Sequence, residues 1–316
     1  MEKLFIGPSP HIRSSNSTTK IMLVVIIALL PTLAMSIYYF GPRALYLTLV
    51  CVVACVIFEY VFNLITKRQQ TVSDLSAAVT GVILAFNLPA NLPYYMAVIG
   101  CFTAIVVTKL MFGGIGQNFA NPAIVGRIVL VLSFTSHMSN YPVVGGISGV
   151  EVVTGATPLS ALKDGDMELI PSNMDMFFGS HGGSLGETCA LTLLIGLFIL
   201  LFFRIIHPVT PFAYVGTVAF ISLIAGRDVI FDVLAGGLLL GAVFMATDYS
   251  TTPITGKGKL IFGIGCGILT MIMRMYASMP EGVAFSILIM NILTPYIDRY
   301  TQPKPFGMKK EVKKND

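Results

Sequence analysis

The first candidate chemistry lies in Thr154-Gly155-Ala156-Thr157-Pro158-Leu159. Small residues before Thr157 leave its hydroxyl accessible, and Pro158 biases Thr157 toward an extended backbone, so a modifying enzyme could use that oxygen as a nucleophile. A Ser/Thr-Gly-Ala-Thr tetrad arises by chance in a chain this long at roughly one or two per cent, from average residue usage. On residue types alone the segment reads first as a Gly/Pro turn in a loop.

Asn118 and Asn121 follow a glycine-rich stretch that begins at Gly113, and Asn121-Pro122 matches an N-cap with proline at the first helical position. Amide donors and freed backbone N–H groups there could hold a polar ring system; alternatively, Asn121 merely caps the helix. Three carboxylates stand at the ends of apolar segments: Asp74, Asp248 and Glu187. Ionisable groups at membrane depth are functional candidates because burying them is costly. Asp74 and Asp248 could admit a cation and Glu187 could serve its exit. The alternatives are interfacial carboxylates in contact with water or, for Glu187, a helix start where a carboxylate complements the dipole.

Other chemistries are excluded. The five cysteines are odd in number and lie in or beside apolar stretches, so they form no disulfide framework. Cys51 and Cys55, one helical turn apart, read as small buried residues rather than metal ligands. The four histidines show no metal-ligand spacing, and no Walker or dinucleotide fingerprint is present, so NAD chemistry would belong to a partner. No basic face of the kind that binds nucleic acid is evident, and no side chain reads as catalytic.

The elements that must position these residues are membrane helices. Of 316 residues 55% are hydrophobic and only 11% charged, with a mean hydropathy of +0.81, whereas charged residues make up about 25% of soluble proteins. The composition implies an all-α polytopic membrane protein. A helix needs about 20 apolar residues to cross the hydrocarbon core, which gives ten segments: 21–40, 44–65, 74–88, 94–111, 122–134, 185–206, 212–225, 229–247, 260–276 and 283–297. Those starting at Asp74, Pro122 and Phe212 are too short to span as straight helices and are expected to be broken helices buried in protein or lining a cavity.

With a cytoplasmic N-terminus, fifteen of the twenty Lys and Arg residues fall in inside loops or adjoining helix ends, four fall outside, and Arg127 lies within a span. The positive-inside rule then places both termini in the cytoplasm and the 135–184 loop outside. Residues 1–20 read as a polar segment and not a signal peptide, and residues 298–316 as a cytoplasmic tail. Gly100-Cys101 recurs as Gly265-Cys266, and Lys109 maps onto Arg274 at the same offset. Two five-span units, 21–134 and 185–297, would cross in opposite senses, an inverted repeat whose binding site forms near the midplane between the halves.

Thr154-Gly-Ala-Thr157-Pro-Leu resembles the flavinylation motif of the D subunits of the Rnf complex and of the related B subunits of the sodium-pumping NADH:quinone reductase. Gly113 to Ala123, Gly183-Ser-Leu-Gly-Glu187, Ala246-Thr-Asp248 and Pro280-Glu-Gly-Val-Ala284 resemble family signatures in the same order. Glu151 stands where the family often has aspartate. The short lead to the first span favours the Rnf type over the quinone-reductase type.

The resemblance implies a membrane subunit of an ion-translocating ferredoxin:NAD oxidoreductase in a bacterial or archaeal plasma membrane. It also implies FMN joined to Thr157 through a phosphoester by a flavin transferase, and a second, non-covalent flavin (riboflavin or FMN) near Asn118 and Asn121. Its partners would be other Rnf subunits, a second flavinylated one among them, and the transported ion would be Na⁺ or H⁺. A cofactor-free solute channel or transporter of the same inverted-repeat plan is the rival from another class, and a structural scaffold is a third.

Overall fold

The computed structural model describes residues 17–142, 154–155, 157–164, 170–277 and 282–303. The expectations on Glu151, on Pro280-Glu281, on most of the 1–20 segment and on the tail from residue 304 lie outside them.

Apolar runs fold as helices because a helix satisfies its own backbone polar groups where water cannot. In chain order the elements are α1 (Thr18–Phe40), α2 (Pro42–Ile65), α3 (Ser76–Phe86) and α4 (Tyr94–Phe102), which continues as a π-helical stretch, Thr103–Leu110. α5 (Pro122–Ser133) and the short α6 (Thr135–Met138) follow. Then come β1 (Tyr141–Pro142), β2 (Thr154–Gly155), α7 (Pro158–Asp164) and α8 (Asn173–Phe178). The rest is α9 (Ala190–Phe202), α10 (Val209–Ile224), α11 (Val229–Leu234), α12 (Leu238–Leu240, continuing as the π-helical turn Gly241–Met245), α13 (Gly256–Tyr276) and α14 (Val283–Thr301). Among the described residues α1, α2 and α13 are long and apolar enough to cross a membrane, with shorter apolar helices beside them. The chain is therefore a mostly helical membrane protein.

Four details differ from the sequence reading. The segment from Phe212 is not a broken helix: α10 starts three residues earlier, at Val209, and runs uninterrupted for 16 residues. The break falls in 229–247 instead, where α11 ends at Leu234, Gly236 takes φ +64° and α12 begins at Leu238. Glycine is the residue that enters this left-handed region without steric cost. The sixth segment starts not at 185 but at Ala190, because Leu185 and Gly186 donate their N–H groups to Leu88 O (3.1 Å) and Phe86 O (2.8 Å) instead of turning into a helix. The all-α expectation also meets one exception: β1 and β2 pair antiparallel, Pro142 opposite Thr154 and Tyr141 opposite Gly155.

Small residues let the helices approach closely. A Cβ on Gly81 would stand 2.8 Å from Val52 Cα, and one on Gly196 would stand 2.7 Å from Ala28 O. Gly196→Ala should therefore push α9 off α1 and lose on the order of 1–3 kcal/mol, the usual cost of overpacking. Thermal unfolding in detergent checks this against Gly216→Ala, where the added methyl meets open space and no loss is expected.

Buried polar groups hold the breaks in place. Lys109, at the end of the π-helical part of α4, donates to Ser76 Oγ at the first turn of α3 and to Glu59 Oε1 (3.0 Å) on α2. Arg274 on α13 donates to Asp232 O and to Ala235 O (2.8 Å), carbonyls set free where α11 stops. Both cations were counted from the sequence among charges flanking the spans, yet both are buried.

Candidate functional site

Two cavities contain most of the residues singled out from the sequence. The larger, about 380 Å³, opens between α3, α5, α12 and the turns that precede α5 and α13, and is lined by Asn118, Asn121, Asp248, Lys109 and Ser76. Pro122 fixes the first residue of α5, and Asn121 caps it by accepting from Ala123 N–H (3.0 Å). The Asn121 amide nitrogen donates to Met245 O (3.2 Å), where the π-helical turn of α12 ends. Both ends of that amide are thus engaged inside the protein. Asn118 differs: its Oδ1 is buried and has no hydrogen-bond partner among the described residues. Glycines 113, 114 and 116 all have positive φ, which bends the chain back to bring Asn118 over the cavity. A volume in the range of small-molecule sites, with an unsatisfied amide acceptor on its wall, fits a polar ring system.

Asp248 is half-buried just beyond α12, and its Oδ2 accepts from Ser250 Oγ (2.9 Å) and Thr251 Oγ1 (3.0 Å). Burial pushes its carboxyl above the ordinary carboxylate range, against the pull of those hydroxyls. Asp74 lies near this cavity but not on its wall. Its Oδ1 accepts from Ser76 N–H (2.9 Å) and Ser76 Oγ (2.6 Å), which ties it to the first residue of α3 and, through the same serine, to Lys109.

The smaller cavity, about 110 Å³, is lined by Thr157, Ser160, Tyr141, Ser139, Arg127 and Phe285, among others. Thr157 is 6% exposed. Its Oγ1 accepts from Ser160 N–H (3.2 Å), capping α7, and donates to Ser160 Oγ (3.1 Å). Pro158 opens α7, and the β1–β2 pairing carries Thr154 and Gly155 along Tyr141 and Pro142. The cavity is smaller than the roughly 300 Å³ at which small-molecule pockets begin. It suits the attachment end of a group carried by Thr157, not a whole ring system.

Glu187 is not at a helix start. It sits in the irregular stretch before α9, buried, with Oε2 unpartnered among the described residues. That oxygen and Arg127 Nη1 both face Gly237, 3.3 and 3.6 Å from where a Cβ would stand. Nearby His181 is buried as well, and desolvation pushes its imidazole below the usual range.

The two cavities are joined by a buried polar chain that sequence reasoning missed. Asn121 reaches Met245 O; Met245 Sδ lies 3.7 Å from Asn87 Nδ2; and Asn87 Oδ1 accepts from Arg127 Nη1 at 2.7 Å. The Glu59–Lys109 pair was missed too. The available signal was an ionisable residue inside an apolar run, which applies to Glu59, Lys109 and Arg127 alike. The five cysteines are all buried and unbridged, as expected of small packing residues.

Residues 5–307 match the model of the NQR2, RnfD, RnfE family. The chain is 47% identical to the D subunit of the Na⁺-translocating ferredoxin:NAD⁺ oxidoreductase complex of Acetobacterium woodii, over 98% of each chain. It is 39% identical to the D subunit of the proton-translocating ferredoxin:NAD⁺ oxidoreductase complex of Clostridium ljungdahlii, over 96% of each. The corresponding figure for the D subunit of the ion-translocating oxidoreductase complex of Stutzerimonas stutzeri is 36%, over 92% of this chain and 93% of that one. The match runs through both cavities and the helices that frame them, so the chain belongs to the NQR2, RnfD, RnfE family.

Proposed function

We propose that this chain is the flavin-carrying membrane subunit of an ion-translocating ferredoxin:NAD oxidoreductase of the Rnf type, working with the other subunits of that complex. FMN would be held covalently by Thr157, and a second flavin non-covalently beside Asn118. A flavin supplies the redox chemistry when bound, and the protein contributes position and electrostatics. The observation that carries the reading is the Thr157 hydroxyl, last in a Thr-Gly-Ala-Thr tetrad, on the wall of a cavity shared with the Arg127 guanidinium.

The ten-span plan, as inverted units 21–134 and 185–297 with both termini cytoplasmic and the 135–184 loop outside, is part of the same proposal. Its support is that Lys109 and Arg274 take matching places. Each reaches the turn that opens a short helix, at Leu75 and at Gly236, and both of those residues have φ +64°. In addition α1 packs on α9 and α5 on α14, the pairs that a two-fold axis would relate.

Intact-mass spectrometry of the chain coexpressed with a flavin transferase tests the reading: the expected result is the added mass of one FMN less one water. An unmodified chain, with the transferase active on another substrate, transfers the assignment to a solute transporter of the same plan.

Asp248 is proposed as the cytoplasmic entry group for the cation, with Asp74 as a second entry group and Glu187 toward the exit. Asp248→Asn should lower the ions moved per electron in proteoliposomes, and an unchanged ratio removes the residue from the path. Because the pKa of this carboxyl is raised, its charge is fully present only above that raised value. Cation uptake through it should therefore fall, as the medium is acidified, at a higher pH than for an ordinary carboxylate.

A further inference from the structure

We propose that a third cavity, where α9 ends and α10 and α13 begin, binds an anionic phospholipid through its headgroup phosphate, with Arg204 and Lys259 as the anion-binding residues. The cavity measures about 800 Å³, within the range of small-molecule sites. The inference is independent of the flavin-carrier reading; only the leaflet, the cytoplasmic one, follows from the topology proposed above.

The wall carries two kinds of surface. Arg204, in the turn after α9, is exposed, and Lys259, in the first turn of α13, is half-buried. Neither side chain has a hydrogen-bond or ion-pair partner among the described residues. A cation in a first turn opposes the positive end of the helix dipole, and an anion seated beside Lys259 complements both. His207, on the same wall, accepts from Val209 N–H through Nδ1 (3.4 Å), so its neutral tautomer presents Nε2–H as a further donor. The carboxylate that lines this cavity is Asp248, whose Oδ2 is taken up by Ser250 and Thr251.

The rest of the wall is apolar. Leu201, Pro253 and Ile254 line the space, Ile254 being 78% exposed, and Phe202 and Phe203 stand exposed next to Arg204. Tyr249 donates its hydroxyl to Ile205 O and leaves its ring exposed, as tyrosines do where hydrocarbon gives way to headgroups. Donors for a phosphate beside apolar surface for acyl chains match a phospholipid and not a small soluble anion. Basic pockets between helix ends on the cytoplasmic side take anionic headgroups by the same electrostatics.

The test is native mass spectrometry of the delipidated full chain, titrated in detergent with phosphatidylglycerol, which is anionic, and with phosphatidylcholine, which carries no net charge. Wild type should bind phosphatidylglycerol more tightly. Arg204→Gln and Lys259→Gln should each weaken that binding roughly fivefold, and the pair about thirtyfold, the usual effect of basic residues at an anionic lipid surface. Lys67→Gln with Arg299→Gln removes as much charge from exposed residues that line none of these cavities, and this pair should bind as wild type does.

Equal affinity of the wild type for the two lipids overturns the assignment. So does an equal loss in the two double variants, which would show a general effect of surface charge. Inorganic phosphate that displaces phosphatidylglycerol at equal concentration would make this a site for a free anion and overturn the lipid. Should the Arg204→Gln, Lys259→Gln protein fail to accumulate folded, Arg204→Gln alone decides, because that side chain is exposed and unpartnered among the described residues: a fivefold loss supports the site, and unchanged binding overturns it.

Discussion

Thr157→Ala is expected to abolish the FMN adduct completely, with the added mass and the in-gel flavin fluorescence both gone, whereas Thr157→Ser keeps them. The ester needs a hydroxyl oxygen at this position, and alanine has none. The neighbouring threonine of the tetrad gives the internal comparison, because Thr154→Ala removes a hydroxyl from the same loop and should leave the adduct intact. Folding is not the confounder. Thr157 Oγ1 accepts from Ser160 N–H as the cap of α7, and losing such a cap costs about 1 kcal/mol, which size-exclusion behaviour and thermal unfolding will register as a minor change. An adduct that survives in Thr157→Ala would place the modification elsewhere and remove the central support for the redox reading.

The second large effect concerns stability. Lys109→Met should destabilise the protein by about 3–5 kcal/mol, the range seen when one partner of a buried ion pair is removed. Glu59 and Lys109 are 0% and 3% exposed at their side chains. Without the ammonium, Glu59 Oε1 keeps only Thr71 Oγ1 (2.7 Å), and Oε2 already lacks a partner among the described residues. The double variant Lys109→Met with Glu59→Leu should recover most of the loss, since replacing both charges with apolar groups of similar size is often neutral or better. Thermal unfolding of the four proteins completes the cycle. A single variant as stable as wild type would mean that water reaches Glu59 from the cavity that Lys109 lines.

The helices were legible wherever length and hydropathy decide the outcome. α1, α2 and α13 lie within a few residues of their expected positions, and Asn121-Pro122 marked the start of α5 as read. The break at Gly236 was not legible, because Gly236-Gly237 sits inside an apolar run whose hydropathy is that of a continuous span. What ends α11 there is a backbone turn whose carbonyls are taken by Arg274 from a distant helix. Leu185 misled for the opposite reason: it is apolar and buried, yet its N–H is committed to Leu88 O. At the candidate site the motif pointed to Thr157 and the glycines to Asn118. Arg127 was visible only as a charge within a span, because its hydrogen bond to Asn87 joins residues forty apart in the chain and adjacent in space. Tertiary hydrogen bonds of that kind leave no local pattern to read.

The burial of Thr157 sets an order of events. In the packed structure its hydroxyl is covered and bonded to Ser160 at both N–H and Oγ, so an enzyme of any size meets a closed door. If Thr157 is the attachment site, its modification belongs to the interval before α7 packs Leu159 against Met176 of α8 and against Phe231 and Ala235 at α11, or to moments when that packing opens. Maturation would then be a race between a transferase and a folding step. The yield of loaded protein should accordingly depend on when the transferase is supplied during synthesis, and not only on how much of it is present.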